Sequence, residues 1–128
     1  MARPRERSSR QKLAHRLGVR AEWLAAVLLR MKGYRILETR YRVPVGEIDI
    51  IARRRGTVIF CEVKQRPDAG AALEALRPAQ RLRIVRAAEQ WLHENGLPLD
   101  SDCRFDMLVF SAYLVPRHIR NAFTLDGI

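Results

Sequence analysis

Apolar and polar positions alternate along parts of this chain and recur at three- and four-residue spacing along others, and the two periods mark out its elements. From about Gly18 the spacing is helical, with Ala21, Leu24, Ala25 and Leu28 on one face and Gly33 as a natural stop. A first strand is expected around Tyr34 to Tyr41, broken by Pro44-Val45-Gly46. The most strand-like stretch, Gly46 to Gln65, reads as a hairpin, and a polar loop over Arg66 to Gly70 follows it. A second helix is expected from Pro78, a good first-turn residue, to Gly96. Leu82, Ile84, Val85, Ala88, Trp91 and Leu92 fit its buried face, with Arg77, Arg81, Arg83 and Arg86 largely elsewhere. Strands over Arg104 to Tyr113 and Ile119 to Leu125 complete the pattern. The order helix, three strands, helix, one or two strands predicts an α/β protein with a central mixed β-sheet flanked by helices. It contains no internal repeat, and we expect a basic N-terminal arm at residues 1–17 followed by a single domain at 18–128.

Composition narrows the class. The chain has 128 residues, 48% hydrophobic and 30% charged, which suits one globular domain with a real core. Its longest apolar run, Trp23 to Leu29, is far short of the roughly 20 residues needed to span a bilayer. That run is too deep in the chain, and too closely followed by Arg30 and Lys32, for a signal peptide. These features predict a cytoplasmic protein without a membrane partner. Cys61 and Cys103 lack C-x-x-C spacing, and His15, His93 and His118 are scattered, so neither a disulfide nor a zinc site is expected. Cys61 alternates with charged residues and is expected to be a small core residue.

The net charge of +10 changes the picture most, because it predicts a polyanionic partner, nucleic acid before an anionic membrane. The arginine-to-lysine ratio of 21 to 3 can reflect codon usage, but the excess of 24 basic over 14 acidic residues cannot.

The hairpin then raises a chemical question, since Glu47, Asp49, Glu62 and Lys64 lie among its isoleucines and valines. A two-residue turn at Arg55-Gly56 pairs Arg54 with Thr57, Ala52 with Ile59, Ile51 with Phe60 and Ile50 with Cys61. Continued, that register puts Ile48 opposite Val63, Asp49 opposite Glu62 and Glu47 opposite Lys64. A loop of odd length would mix charged and apolar partners, because a one-residue slip exchanges a strand's faces. Opposed like charges destabilise a sheet, so Asp49 and Glu62 need a raised pKa, a basic neighbour or a bound cation. Two carboxylates on rigid strands suit Mg²⁺, and Lys64 on the same face could orient water or offset phosphate charge. The competing reading is a wet sheet face with Glu47–Lys64 as a surface pair; Ile51 and Phe60 on that face argue against uniform wetting.

Asp49 with Glu62-Val63-Lys64 resembles the PD-(D/E)xK nuclease motif. Further agreement comes from Gly18, Ala21-Glu22, Ala25-Ala26, Leu29, Gly33-Tyr34, Ile36-Leu37, Gly46-Glu47-Ile48-Asp49, Phe60, Arg66, Arg104-Phe105-Asp106 and Asn121-Ala122-Phe123. Together they resemble the YraN-like (UPF0102) family over roughly Gly18 to Phe123. The resemblance implies a restriction-endonuclease-like fold akin to Holliday junction resolvases. It implies Asp49 and Glu62 as metal ligands, Lys64 as the catalytic lysine, and the Val63 carbonyl as a further ligand. Glu22 matches a position from which resolvase-like members bring another acid to the metal, or it is a routine helix-surface carboxylate. Glu47 either supports the site from behind or merely partners Lys64, and Gln65 points to the other face. Gln80 and Arg81 fall where the family carries a Lys-Gln pair, as supports of the acids or phosphate contacts, with Ala79 replacing the lysine. The family's asparagine ahead of the Gly-Glu-Ile-Asp strand is Arg40 here, and Asp106 is expected to be structural. The expected function is a Mg²⁺- or Mn²⁺-dependent endonuclease acting on DNA, on branched or structured forms. The alternative is a non-catalytic nucleic-acid-binding module of the same fold, and a homodimer would supply two sites for two strands.

Overall fold

A computed structural model describes the backbone of residues 9–111 and 115–124, and the side chains from residue 20 onward. The elements are α1 (Ser9–Met31), β1 (Arg35–Val43), β2 (Gly46–Arg54), β3 (Thr57–Gln65), α2 (Ala69–Ala75), α3 (Pro78–Glu94), β4 (Cys103–Phe110) and β5 (Pro116–Phe123). The five strands form one sheet in chain order. Antiparallel pairing joins β1 to β2, β2 to β3 and β4 to β5, while β3 and β4 are parallel across the α2–α3 crossover. This is the expected mixed sheet flanked by helices, and it is consistent with a restriction-endonuclease-like fold.

The sheet is apolar on both faces at its centre. On one face Ala21, Ala25, Ala26 and Leu29 of α1 meet Ile50, Ile59, Cys61, Leu108 and Phe110. Three alanines in that seam keep the helix close to the strands. On the other face α3 brings Ile84, Val85, Ala88, Trp91 and Leu92 onto Ile51, Phe60, Met107 and Val109. Phe60 is the hub there, edge-on to Trp91 at 5.9 Å and tilted against Phe105 at 5.6 Å. Because β3 and β4 are covered on both sides, TVIFCEV has only short polar interruptions, as parallel strands do.

Three boundaries differ from the sequence pattern. Residues 9–17, assigned there to the basic arm, are helical backbone in α1, and residues 1–8 lie outside the described residues. Gly18 lies inside α1 rather than at its start, because an interior glycine costs a helix only about 1 kcal/mol against alanine, too little to end one rich in good formers. The loop expected after Gln65 contains α2, which begins where the Asp68 side chain accepts from the Ala71 N–H at 2.8 Å. The last strand starts at Pro116, before the apolar Ile119; the end expected for β4 at Tyr113 and the end expected for the last strand at Leu125 lie outside the described residues.

One contact sets the position of β2 against α3. A Cβ built on Gly46 would lie 1.9 Å from the Arg83 carbonyl oxygen, so the strand's first residue packs directly on helix backbone. Gly46→Ala is expected to destabilise the fold by about 1–3 kcal/mol, as overpacking does, read as a lower urea midpoint. An unchanged midpoint would mean that β2 and α3 separate freely.

Candidate active site at a strand fork

The hairpin begins as its sequence requires. Arg55 and Gly56 both take positive φ, 52° and 87°, which closes a two-residue turn whose twist matches the strands. The β2–β3 ladder then runs in the expected register from Arg54–Thr57 to Ile50–Cys61, and there it stops. Beyond that point β2 stays with β1, through Tyr41–Ile48 and Arg42–Glu47, while β3 stays with β4, through Glu62–Met107 and Lys64–Val109. The two strands fork.

The fork corrects three expected pairs. Ile48–Val63, Asp49–Glu62 and Glu47–Lys64 are not ladder partners. Ile48 joins Ile51 on the α3 face rather than Ile50 on the α1 face, because Gly46 draws that end of β2 onto α3. In an antiparallel ladder a residue that bonds its partner exchanges both backbone bonds, so the next β3 donor due to face β2 is the Val63 N–H. It donates to Asp49 Oδ2 at 2.8 Å, a side chain taking the place of a strand carbonyl. Since N–H and C=O of one extended residue point to the same strand edge, the Val63 carbonyl also faces the opening.

Glu62 is the buried acid of this fork, 7% exposed. Gln80, in the first turn of α3, donates Nε2–H to Glu62 Oε1 at 3.1 Å, and Lys64 Nζ lies 3.4 Å from the same oxygen. Burial pushes the Glu62 carboxyl up to about 8, helped by the Asp49 charge and opposed by Lys64. Burial also raises Asp49, against the Val63 N–H that lowers it, and the Glu22 charge adds to the rise. The two acids thus oppose each other's ionisation across the fork.

Other expected members lie elsewhere. Glu47 is exposed, opposite Arg42, with no contact to Lys64 among the described residues. Arg81 donates Nε–H to the Leu76 carbonyl at 2.8 Å and lies over the Phe123 ring, so it supports the helix start rather than the acids. Glu22 lies near enough to act on the Asp49 charge, but its carboxylate is held by Arg40 Nε at 2.8 Å. Among the described residues no three His, Cys, Asp or Glu side chains converge as a metal-binding group. A groove of about 730 Å³ between Val45, Arg86, His93 and Leu99 is lined by none of these acids.

Sequence reasoning missed two features. Arg40, on β1, has a left-handed φ of +51° and stands between the ladder pairs Thr39–Ile50 and Tyr41–Ile48, so the register places it across from Asp49. A non-glycine residue held there stores on the order of 1–3 kcal/mol. Its signal was present in the sequence, because a two-residue turn at Pro44-Val45 fixes that register. The second is a network around Asp106, fully buried and structural as expected. Burial alone would raise this carboxyl, but His118, Arg104 and the Asn121 N–H hold it down at about 2. His118 in turn meets Lys32 Nζ at 2.7 Å. Nothing in the residue spacing pointed to that chain of contacts.

A pH test follows from Glu62. With its folded value near 8 and its ordinary value at 4.5, the folded chain keeps a proton that the unfolded chain releases, so stability falls as pH rises through that window. Glu62→Gln stays neutral and removes this slope. The urea midpoint of the variant relative to the parent is expected to rise steadily from about pH 5 to about pH 8. A pH-independent difference would mean that Glu62 is charged throughout.

With this geometry in view, comparison with known proteins places the chain. A model of an uncharacterised protein family, UPF0102, matches residues 21–110, which include every acid of the fork. A UPF0102 protein from Bradyrhizobium diazoefficiens is 43% identical over 122 residues, covering 95% of this chain and 92% of its own length. One from Rhodopseudomonas palustris is 47% identical over 110 residues, covering 86% and 85%. Another from Mesorhizobium japonicum is 46% identical over 119 residues, covering 93% and 94%. The chain belongs to the UPF0102 family.

Proposed function

We propose that this protein is a metal-dependent endonuclease that hydrolyses phosphodiester bonds of DNA, with the fork between β2 and β3 as its active site. The observation that carries the reading is the placement of Asp49 and Glu62 together in a buried fork, with Lys64 3.4 Å from Glu62. With both desolvated carboxylates ionised, the single lysine leaves a negative charge that a cation would neutralise, displacing the Glu62 proton. The donors are oxygens, from Asp49, Glu62 and the Val63 carbonyl, which suits Mg²⁺ or Mn²⁺ over a softer metal. Such a cation supplies charge stabilisation at the phosphate and a more acidic water.

The chain's own residues do the rest. Val63 N–H fixes the Asp49 carboxylate, and Gln80 fixes Glu62, so neither acid must be ordered when substrate arrives. Lys64 is positioned to orient the attacking water and to offset charge at the phosphorus. The net charge of +10 supports a polyanionic substrate held through its backbone. No helix among the described residues is long and apolar enough to cross a membrane.

A second reading rests on Ala79, exposed at the start of α3 where the resemblance expects a lysine. It gives a nucleic-acid-binding module without turnover. The deciding experiment offers linear, single-stranded and four-way-junction DNA with Mg²⁺ or Mn²⁺ to the parent, Glu62→Gln and Lys64→Ala. Cleavage by the parent, reduced by about a hundredfold or more in each variant, is expected. Cleavage that survives in both variants would place the chemistry elsewhere. Binding without cleavage would favour the module.

A further inference from the structure

We propose that Arg40 is a phosphate-binding residue of this site, and that Glu22 holds its guanidinium in position rather than ligating the metal. The inference rests on the endonuclease reading for its substrate, a phosphodiester oxygen of DNA. It rests on separate observations for its residues.

Arg40 is the one residue of β1 with positive φ, flanked on both sides by regular ladder pairs. A strand gains nothing from that conformation, which turns the residue out of the ladder opposite Asp49. What the turn achieves is contact with α1. Arg40 Nε donates to Glu22 Oε2 at 2.8 Å, joining the sheet to the helix that covers one of its faces. Only Nε is used. The terminal nitrogens make no hydrogen bond among the described residues, and the side chain is 48% exposed. A guanidinium fixed by one edge leaves a second edge in the planar fork geometry that matches two phosphate oxygens.

The placement of charge points the same way. Lys64 flanks the two acids of the fork from β3, and Arg40 flanks them from β1, near enough to feel the Asp49 charge. A phosphodiester drawn to the fork would then meet a cation on each side. Glu22 is already engaged, with no third acid among the described residues converging on Asp49 and Glu62, so two carboxylates and a backbone carbonyl complete the protein's share of a Mg²⁺ shell that otherwise keeps water. The pair assigns a purpose to both departures: an arginine in a left-handed strand position, and a helix acid turned towards it.

The test separates metal from DNA. Mn²⁺ binding is measured by calorimetry without DNA, and DNA binding by fluorescence anisotropy in Ca²⁺ over a range of salt, on full-length protein with thermal melts as a folding control. Glu22→Gln is expected to keep Mn²⁺ affinity within about threefold while weakening DNA, and Asp49→Ala to lose Mn²⁺. Arg40→Ala is expected to weaken DNA by about tenfold and to reduce the salt slope by about one phosphate contact. Arg40→Lys should restore the slope but only part of the affinity, since it keeps the charge and loses the fork. A tenfold or greater loss of Mn²⁺ affinity in Glu22→Gln would make Glu22 a ligand and overturn the proposal. So would DNA binding and salt slope that Arg40→Ala leaves unchanged. If the parent binds no Mn²⁺ yet Arg40→Ala still weakens DNA, the endonuclease reading fails and the phosphate contact stands.

Discussion

Where two paired strands part, the next backbone donor has no strand carbonyl to meet, and leaving it buried and unpaired would cost about 1–3 kcal/mol. In this protein the donor is the Val63 N–H and the acceptor is the Asp49 carboxylate. That one bond makes the fork tolerable to the fold and immobilises an acid at its mouth. It also fixes the direction in which that acid points, because Asp49 cannot turn away without exposing the Val63 amide. Glu62, one residue earlier on β3, is then held against the same opening by Gln80. A structural debt of the backbone and the arrangement of the candidate site are therefore the same feature.

Two buried acids on neighbouring strands show how environment separates their roles. Asp106 is surrounded by Arg104, His118 and the Asn121 amide, and its charge is so well matched that its carboxyl sits far below the usual range. It ties β4 to β5 and, through His118, to the end of α1 at Lys32. Glu62 has a similar degree of burial, but only one lysine and one amide beside it and another acid as its neighbour. Its carboxyl is driven up instead. The first acid is finished by the protein, whereas the second is left short of positive partners, and that asymmetry is what distinguishes a strut from a candidate site.

Much of this was legible in the residues. Period-two patterning and the Arg55-Gly56 turn determined the hairpin register as far as Ile50–Cys61, and a proline start with a glycine stop bounded α3 closely. The acids and Lys64 were found because charges stood out in an apolar run. What could not be read was where the ladder would end, since that depends on Gly46 meeting the backbone of a helix far along the chain. The same limit hid Ile48's change of face and sent Lys64 to Glu62 instead of Glu47. Helix α2 was missed because Pro67 and Gly70 look like loop residues when the capping role of Asp68 is not weighed. Arg81 was placed near the acids by its neighbour Gln80, but successive helix residues point in different directions, and it turned to Leu76 and Phe123.

The contact between Gly46 and the Arg83 carbonyl has a consequence for how such a protein can diverge. It is made by backbone on both sides, so no exchange of side chains along α3 can widen or narrow the aperture between the strands. The outer face of that helix is free to drift, gather arginines or lose them, while the spacing of the acids stays the same. The aperture behaves as a fixed gauge. It holds its setting for as long as a residue without a side chain stands at position 46.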